Sequence, residues 1–249
     1  MRSVFIKELN SFFSSIVGYV AVFVFLVACG LFLWVIPDSS ILEYGFATLD
    51  RFFEMAPWFL MLLIPAITMR SFADEFRGGT IEWLATKPLT DLDIILGKYL
   101  ASLALVVFSL IPTLVYVYTI SNLSLVENNI DRGAIIGSYI GLLFLAAGFT
   151  AIGVFCSSLT NNQIVGFLVG LFSCFLLYRG FESLSKLPAF AEGIDYYLGM
   201  IGMSFHYQSI SRGLIDTRDV IYFLSVIVIF VSLTRLSLNR RTWDTATKD

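Results

Sequence analysis

Apolar residues run along this chain in blocks long enough to cross a bilayer, separated by short polar stretches. Six blocks stand near Ile16–Ile36, Phe52–Met69, Asp93–Thr119, Gly133–Ser157, Gln163–Tyr178 and Val220–Leu238. Each lies near the ~20 residues that a spanning helix requires. The second is the least regular, because Asp50, Arg51 and Glu54 crowd its start and Pro57 and Pro65 interrupt it. Pro65 is expected to bend that helix or leave a carbonyl for a neighbour to satisfy. The fifth is short and must tilt or extend to span.

Before the first block, Phe5, Leu9, Phe12, Phe13 and Ile16 recur at helical spacing, with Arg2, Lys7, Glu8, Asn10 and Ser11 largely between them. This pattern predicts an amphipathic helix in the headgroup plane over residues 1–15. A plain extension of the first span is the alternative. The first block is too long for a cleavable signal and lacks a small-x-small site, so it is read as a retained span. Between the fifth and sixth blocks, residues 179–219 form a long outer segment. Within it, Ala191–Gly202 and Met203–Gly213 are apolar, too short to span and bounded by glycine, which suits short helices in or re-entering the outer interface.

Small residues form stripes: Gly133, Gly137 and Gly141, then Gly166 and Gly170. Spacing by four lets helix backbones approach closely in lipid, within one bundle or across a homodimer seam. The fold class read from the pattern is an all-α membrane protein with six transmembrane helices, an interfacial first helix and short outer helices before the last span.

Composition agrees. Of 249 residues, 57% are hydrophobic and 14% charged, against roughly 25% charged in soluble domains. The net charge is −3 and no basic run points to nucleic acid. Lys and Arg set the orientation. With the N-terminus inside, ten are cytoplasmic (Arg2, Lys7, Arg70, Arg77, Lys87, Lys98, Arg235, Arg240, Arg241, Lys248) and six outside (Arg51, Arg132, Arg179, Lys186, Arg212, Arg218). Both termini are therefore placed in the cytoplasm.

Catalytic chemistry has little to build on. Cys29, Cys156 and Cys174 each lie in an apolar run with no metal-ligand spacing. His206 is the only histidine and stands in the outer segment, so an intramembrane serine protease lacks its base. The spans are read as free of ionisable groups between their ends, which disfavours a self-contained ion-driven transporter. Gly97-Lys98 resembles the end of a phosphate-binding loop, but Leu92 stands where that loop requires glycine. Neither a cofactor nor a metal is expected in this chain. Any energised work must draw on a partner.

The remaining signal is the charged stretch from Arg70 to Pro88, lodged between two spans. Phe72, Phe76, Trp83 and Leu84 are its apolar contacts, Gly78-Gly79 offers a bend, and Pro88 stops the helix. Thr90 with Asp93 has the form of a capping box opening the third span. A solvated charged face is the bland reading. Trp83 and two phenylalanines in so short a loop favour packing on a surface.

At Asp74-Glu75-Phe76-Arg77-Gly78-Gly79-Thr80-Ile81-Glu82, Lys87-Pro88-Leu89 and Gly97-Lys98 the chain resembles the ABC-2 permeases of ATP-binding-cassette transporters. The approach to the last span, from Phe205 to Asp216, is also similar to that family. More narrowly, the chain resembles the gliding-motility-associated permease subunit of Bacteroidota. The resemblance implies one transmembrane domain over residues 1–249, multi-pass in the bacterial inner membrane, with a cytoplasmic coupling loop at 70–92. It implies three kinds of partner: a separate ATPase subunit that binds the ATP, a second membrane protein with a large outer domain, and a like or related permease subunit. The coupling residues it implies are Glu75, Phe76, Arg77, Gly78, Gly79, Thr80, Glu82, Trp83 and Pro88. Glu75, Arg77 and Glu82 are expected to make polar contacts to the ATPase, and Phe76 and Trp83 to anchor the loop. An export permease and a mechanical component that transmits ATPase motion without moving a solute both fit this pattern. A membrane enzyme acting on lipid lacks the residues.

Overall fold

The computed structural model describes residues 1–37, 40–44, 48–80, 88–123, 131–188 and 193–246, and these are helical with no strand among them. Short helix α1 (Arg2–Phe13) is followed by α2 (Ile16–Trp34), a single turn α3 (Ile41–Tyr44), α4 (Asp50–Thr68) and α5 (Arg70–Arg77). The third span comprises α6 (Asp91–Leu110), a 3-10 turn at Ile111–Thr113 and α7 (Leu114–Leu123). Next come α8 (Arg132–Ser158) and α9 (Gln163–Phe175), which continues through a π turn at Leu176–Gly180 into α10 (Phe181–Ser185). The chain closes with α11 (Ile194–Ile201), α12 (Met203–Ser211) and α13 (Thr217–Ala246).

Six helical stretches are long and apolar enough to cross a membrane: Ile16–Trp34, Asp50–Arg77, Asp91–Leu123, Arg132–Ser158, Gln163–Ser185 and Thr217–Asn239. They coincide with the six apolar blocks, and the chain is a multi-pass membrane protein. The differences lie at the ends. The fifth span lengthens as expected, by running through the π turn to Ser185. The third is interrupted at Pro112, which has no N–H to give the helix ladder. There Thr113 Oγ1 donates to Leu110 O at 2.6 Å and lies 3.2 Å from the Tyr139 hydroxyl.

α8 is the axis of the bundle. In its most apolar stretch 72% of the residues are buried, against 11% for α13. It packs on α4, α5, α6, α9, α12 and α13. Side chains at helix starts satisfy N–H groups that have no partner within the helix. Asp131 Oδ1 accepts from Ala134 N and Asn162 Oδ1 from Ile164 N. At α6 the full capping box forms: Thr90 Oγ1 accepts from Asp93 N, and Asp93 Oδ2 accepts from Thr90 N.

α1 is not an extension of the first span. It ends at Phe13, Ser15 adopts an extended backbone, and α2 leaves from there. α1 packs along α6 instead, its buried Val4 seated so close to Gly97 that a Cβ there would lie 2.9 Å away.

The two short outer helices part company. α12 buries Met203, Ser204, His206, Tyr207 and Ile210 against the bundle, whereas α11 leaves Ile194, Tyr196, Tyr197 and Ile201 exposed. His206 ties α12 to α13: its Nδ1 lies 2.7 Å from Asp219 Oδ1, its Nε2 2.9 Å from Met200 O, and its ring stacks on Tyr222. Met200 O can only accept, so Nε2 carries a proton.

Candidate functional site

The break at Met69 ends α4 and starts α5, and a helix that starts inside protein must find partners for its first N–H groups. Met69 has no side-chain cap to offer. Ser157 of α8 supplies one: its Oγ accepts from Phe72 N at 3.0 Å and Ala73 N at 3.2 Å, and donates to Met69 O at 2.9 Å. Below this, Phe72 packs with Ile94, Ile95 and Val154 in a small apolar cluster, and Phe76 stacks on Phe72.

Polar contacts fix the other sides of α5. Asp74 accepts a hydrogen bond from Gln163 at the start of α9. Arg70 Nη1 donates to Ser15 Oγ, at the junction of α1 and α2, at 2.7 Å. Glu75 is buried at 7% exposure and its Oε1 lies 2.9 Å from Lys98 Nζ on α6 and 2.8 Å from Lys7 Nζ on α1. Lys98 is the centre of this knot. Only 1% exposed, it also donates to Glu8 Oε1 at 2.7 Å and to Ser71 O at 2.5 Å. Its ammonium stands 5.1 Å from the Phe72 ring centre, within cation–π range. At Lys7, burial works against the charged form, but the hydrogen bonds and charges of Glu75 and Glu8 outweigh it and raise the pKa.

Two expectations change here. Lys98, read as a helix-end charge facing the cytoplasm, is a fully buried ion inside the third span. α6 starts at Asp91, two residues earlier than the pattern placed it, and α1 and α5 cover its first turns with two carboxylates. Glu75, expected to face a partner, points into the protein, because it shares the inner face of α5 with Phe72. Phe76 is half-buried on the same cluster.

The exposed end of α5 carries Arg77, Gly78, Gly79 and Thr80. Of the two glycines, Gly79 has a positive φ of 64°, while Gly78 is right-handed at φ −86°. The bend therefore depends on Gly79, where a Cβ is strained. Pro88 is exposed; Glu82 and Trp83 lie outside the described residues. Among the described residues no three His, Cys, Asp or Glu side chains converge on a metal-sized site.

The glycine stripes are filled from within the chain. A Cβ on Gly137 would fall 2.7 Å from Gly213 Cα, and one on Gly141 would meet Ile210 and Tyr207, all in or beside α12. Gly166 lies against Thr160 and Met69 O, and Gly170 against Pro65 and Cys156; Gly133 meets only the Asp131 side chain.

Sequence spacing missed Lys7, Lys98, Arg70 and Ser157. The available signal was the alternation on α5: Phe72 and Glu75 at i and i+3 share one face, so an inward Phe72 carries Glu75 inward with it.

Comparison with curated proteins returns no match. The family described as ABC-2 family transporter protein matches residues 37–236, a stretch that includes the second to fifth spans, most of the sixth, α5 and the outer helices. With that match over well more than half its length, and with six spanning helices around a polar anchor at α5, the chain belongs to the ABC-2 transporter family.

Proposed function

We propose that this chain is the permease subunit of an ATP-driven exporter and that α5 with its flanking loop is where a separate ATPase subunit takes hold. The observation that carries this reading is the asymmetry of α5. Its first two turns are bound by buried and part-buried polar contacts to α1, α6, α8 and α9, while Arg77 to Thr80 stand exposed at its far end. A helix so held transmits a push instead of absorbing it. Arg77, Gly78, Gly79 and Thr80, continuing to Glu82, Trp83 and Pro88, then form the surface offered to the ATPase. Glu75 and Phe76 act one step back, by fixing α5 to the bundle.

In this reading ATP binds to the partner, both termini face the cytoplasm, and the membrane is the bacterial inner membrane. A second permease subunit, identical or related, completes the transporter. The finer assignment to a gliding-motility system, with a second membrane protein bearing a large outer domain, rests on the resemblance of the 74–98 and 205–216 segments.

The test is purification of the complex from its native membrane in mild detergent, with identification of the ATPase that accompanies it. Arg77→Glu and Gly79→Val should each weaken ATPase capture roughly tenfold, the equivalent of ~1.4 kcal/mol, while the chain stays monodisperse. Undiminished capture by both variants would sink the α5 surface.

A further inference from the structure

The third span changes course at Pro112, which cannot donate to the helix ladder. Before that break α6 packs on α8; beyond it α7 makes little contact with α8 and buries only Ile120 of its own residues. A groove of about 830 Å³ lies between α7 and α8, within the ~300–1,000 Å³ usual for small-ligand sites. Its sides are mostly apolar, from Leu114 and Val117 on α7 and Ile135, Ile136, Ile140 and Leu143 on α8. It can be entered from the side, since Tyr118 on one wall is 70% exposed and Ile136 on the other 61%.

Polarity is graded along it. At the foot the Tyr139 hydroxyl is already engaged, donating to Thr113 O at 3.1 Å. At the mouth stand Asn122 and the exposed Arg132, and Arg132 is the single charged residue of the lining. The neighbouring Asp131 is not part of that lining, and its Oδ1 accepts from Ala134 N at 3.0 Å to cap α8. From Arg132 to Leu143 is eleven residues, ~16 Å of helix and about half of a ~30 Å hydrocarbon core. Both spans end at the mouth, at Leu123 and Arg132, so the groove reaches from the membrane surface through the depth of one leaflet. An occupant must be apolar over that depth and negative at one end. A soluble anion meets only the second requirement, and a neutral lipid only the first.

From these observations we infer that the groove between α7 and α8 binds an anionic glycerophospholipid of the leaflet that meets the start of α8. One acyl chain lies along Ile136, Ile140 and Leu143, and the phosphate pairs with the Arg132 guanidinium, whose several donors suit phosphate oxygens. Phosphatidylethanolamine and phosphatidylcholine carry the same phosphate, but each adds a cation for which the lining has no carboxylate. The inference is independent of how α5 meets an ATPase.

The experiment is native mass spectrometry of the full chain released from nanodiscs containing phosphatidylglycerol, phosphatidylethanolamine and phosphatidylcholine in equal parts. The expected result is one retained phosphatidylglycerol, enriched about fivefold over either competitor, the equivalent of the ~1 kcal/mol that one basic side chain contributes at a membrane surface. Arg132→Gln should bring the three lipids to parity, and Arg132→Lys should keep the preference. Ile136→Trp fills the groove from an already exposed position and should abolish retention. Val115→Trp, equally exposed on α7 but outside the lining, should behave as the parent. Equal retention of the three lipids by the parent, a preference for either zwitterion, or enrichment that survives Arg132→Gln or Ile136→Trp would overturn the inference. So would displacement of the lipid by soluble glycerol phosphate, which has the head without the chain, or retention of a second copy of the chain with no lipid.

Discussion

Lys98→Met is the most informative single change, because it removes the charge on which α1, α5 and α6 converge. The side chain keeps its length, so little packing is lost. What remains is Glu75, 7% exposed, and Glu8 beside it, with Lys7 as the surviving cation at 2.8 Å and 3.7 Å. Breaking a buried pair by deleting one partner costs ~3–5 kcal/mol. Lys7 offsets part of that, although its own side chain is half exposed and solvent-screened. Loss of the Phe72 contact adds about 1 kcal/mol. The expected destabilisation is therefore roughly 3–4 kcal/mol. For a chain of this size that is a fall of roughly 6–16 °C in melting temperature, read by fluorescence-detected unfolding in mild detergent. The double variant Lys98→Met, Glu75→Met removes both charges and should recover to within about 1 kcal/mol of the parent. A single variant that melts like the parent, or a double variant as unstable as the single, would refute the account of the knot.

Other positions give independent checks. Ser157→Ala deprives Phe72 and Ala73 of their N–H acceptor and should cost roughly 1–3 kcal/mol, seen as faster amide hydrogen exchange over residues 70–77. Gly137→Ala forces a methyl to within 2.7 Å of the Gly213 backbone and should cost about 1–3 kcal/mol. Gly133→Ala, whose methyl meets only the Asp131 side-chain oxygen at 3.3 Å, should melt within ~0.5 kcal/mol of the parent. The raised pKa of Lys7 sets the sign of a pH effect. Its contribution is complete below the ordinary lysine value of 10.5 and is lost as pH rises through the higher folded value. Lys7→Met should flatten that part of the alkaline decline, measured by unfolding across the alkaline range.

The spans were legible because their signal is local: a block of apolar residues of membrane length needs no knowledge of its neighbours. The Thr90–Asp93 box and a bend at Gly78-Gly79 were legible for the same reason, each being a rule about adjacent backbone, although only the structure shows that Gly79 alone of the two is left-handed. Lys98 was not. Eight residues into α6, it has the sequence appearance of a charge near a helix end, and only the packing of α1 and α5 against α6 buries it. The contrast between α11 and α12 was hidden in the same way. Both are short and apolar, and only the fit of Ile210 and Tyr207 against Gly137 and Gly141 draws one of them into the bundle.

A knot of charge is a poor choice for stability alone, since apolar replacements of a buried pair are often as stable or more so. It has another property. Apolar surfaces between α1, α5 and α6 tolerate small slips of one helix along another, at little cost per ångström. Lys98 donates to Glu8 and Ser71 O and pairs with Glu75, and a slip of α5 by one residue breaks the Glu75 and Ser71 contacts together. Such a joint has one register, as a coupling helix requires if a push at Arg77 is to move α6 and α1 with it. This separates two quantities that usually fall together. The doubly apolar variant, Lys98→Met with Glu75→Met, should fold and melt like the parent yet capture the ATPase without passing on its stroke. In proteoliposomes containing the whole complex, ATP hydrolysis should then persist while its stimulation by the permease falls. Parent-like stimulation in that variant would mean that shape alone sets the register, and that the charges at Lys98 have no part in coupling.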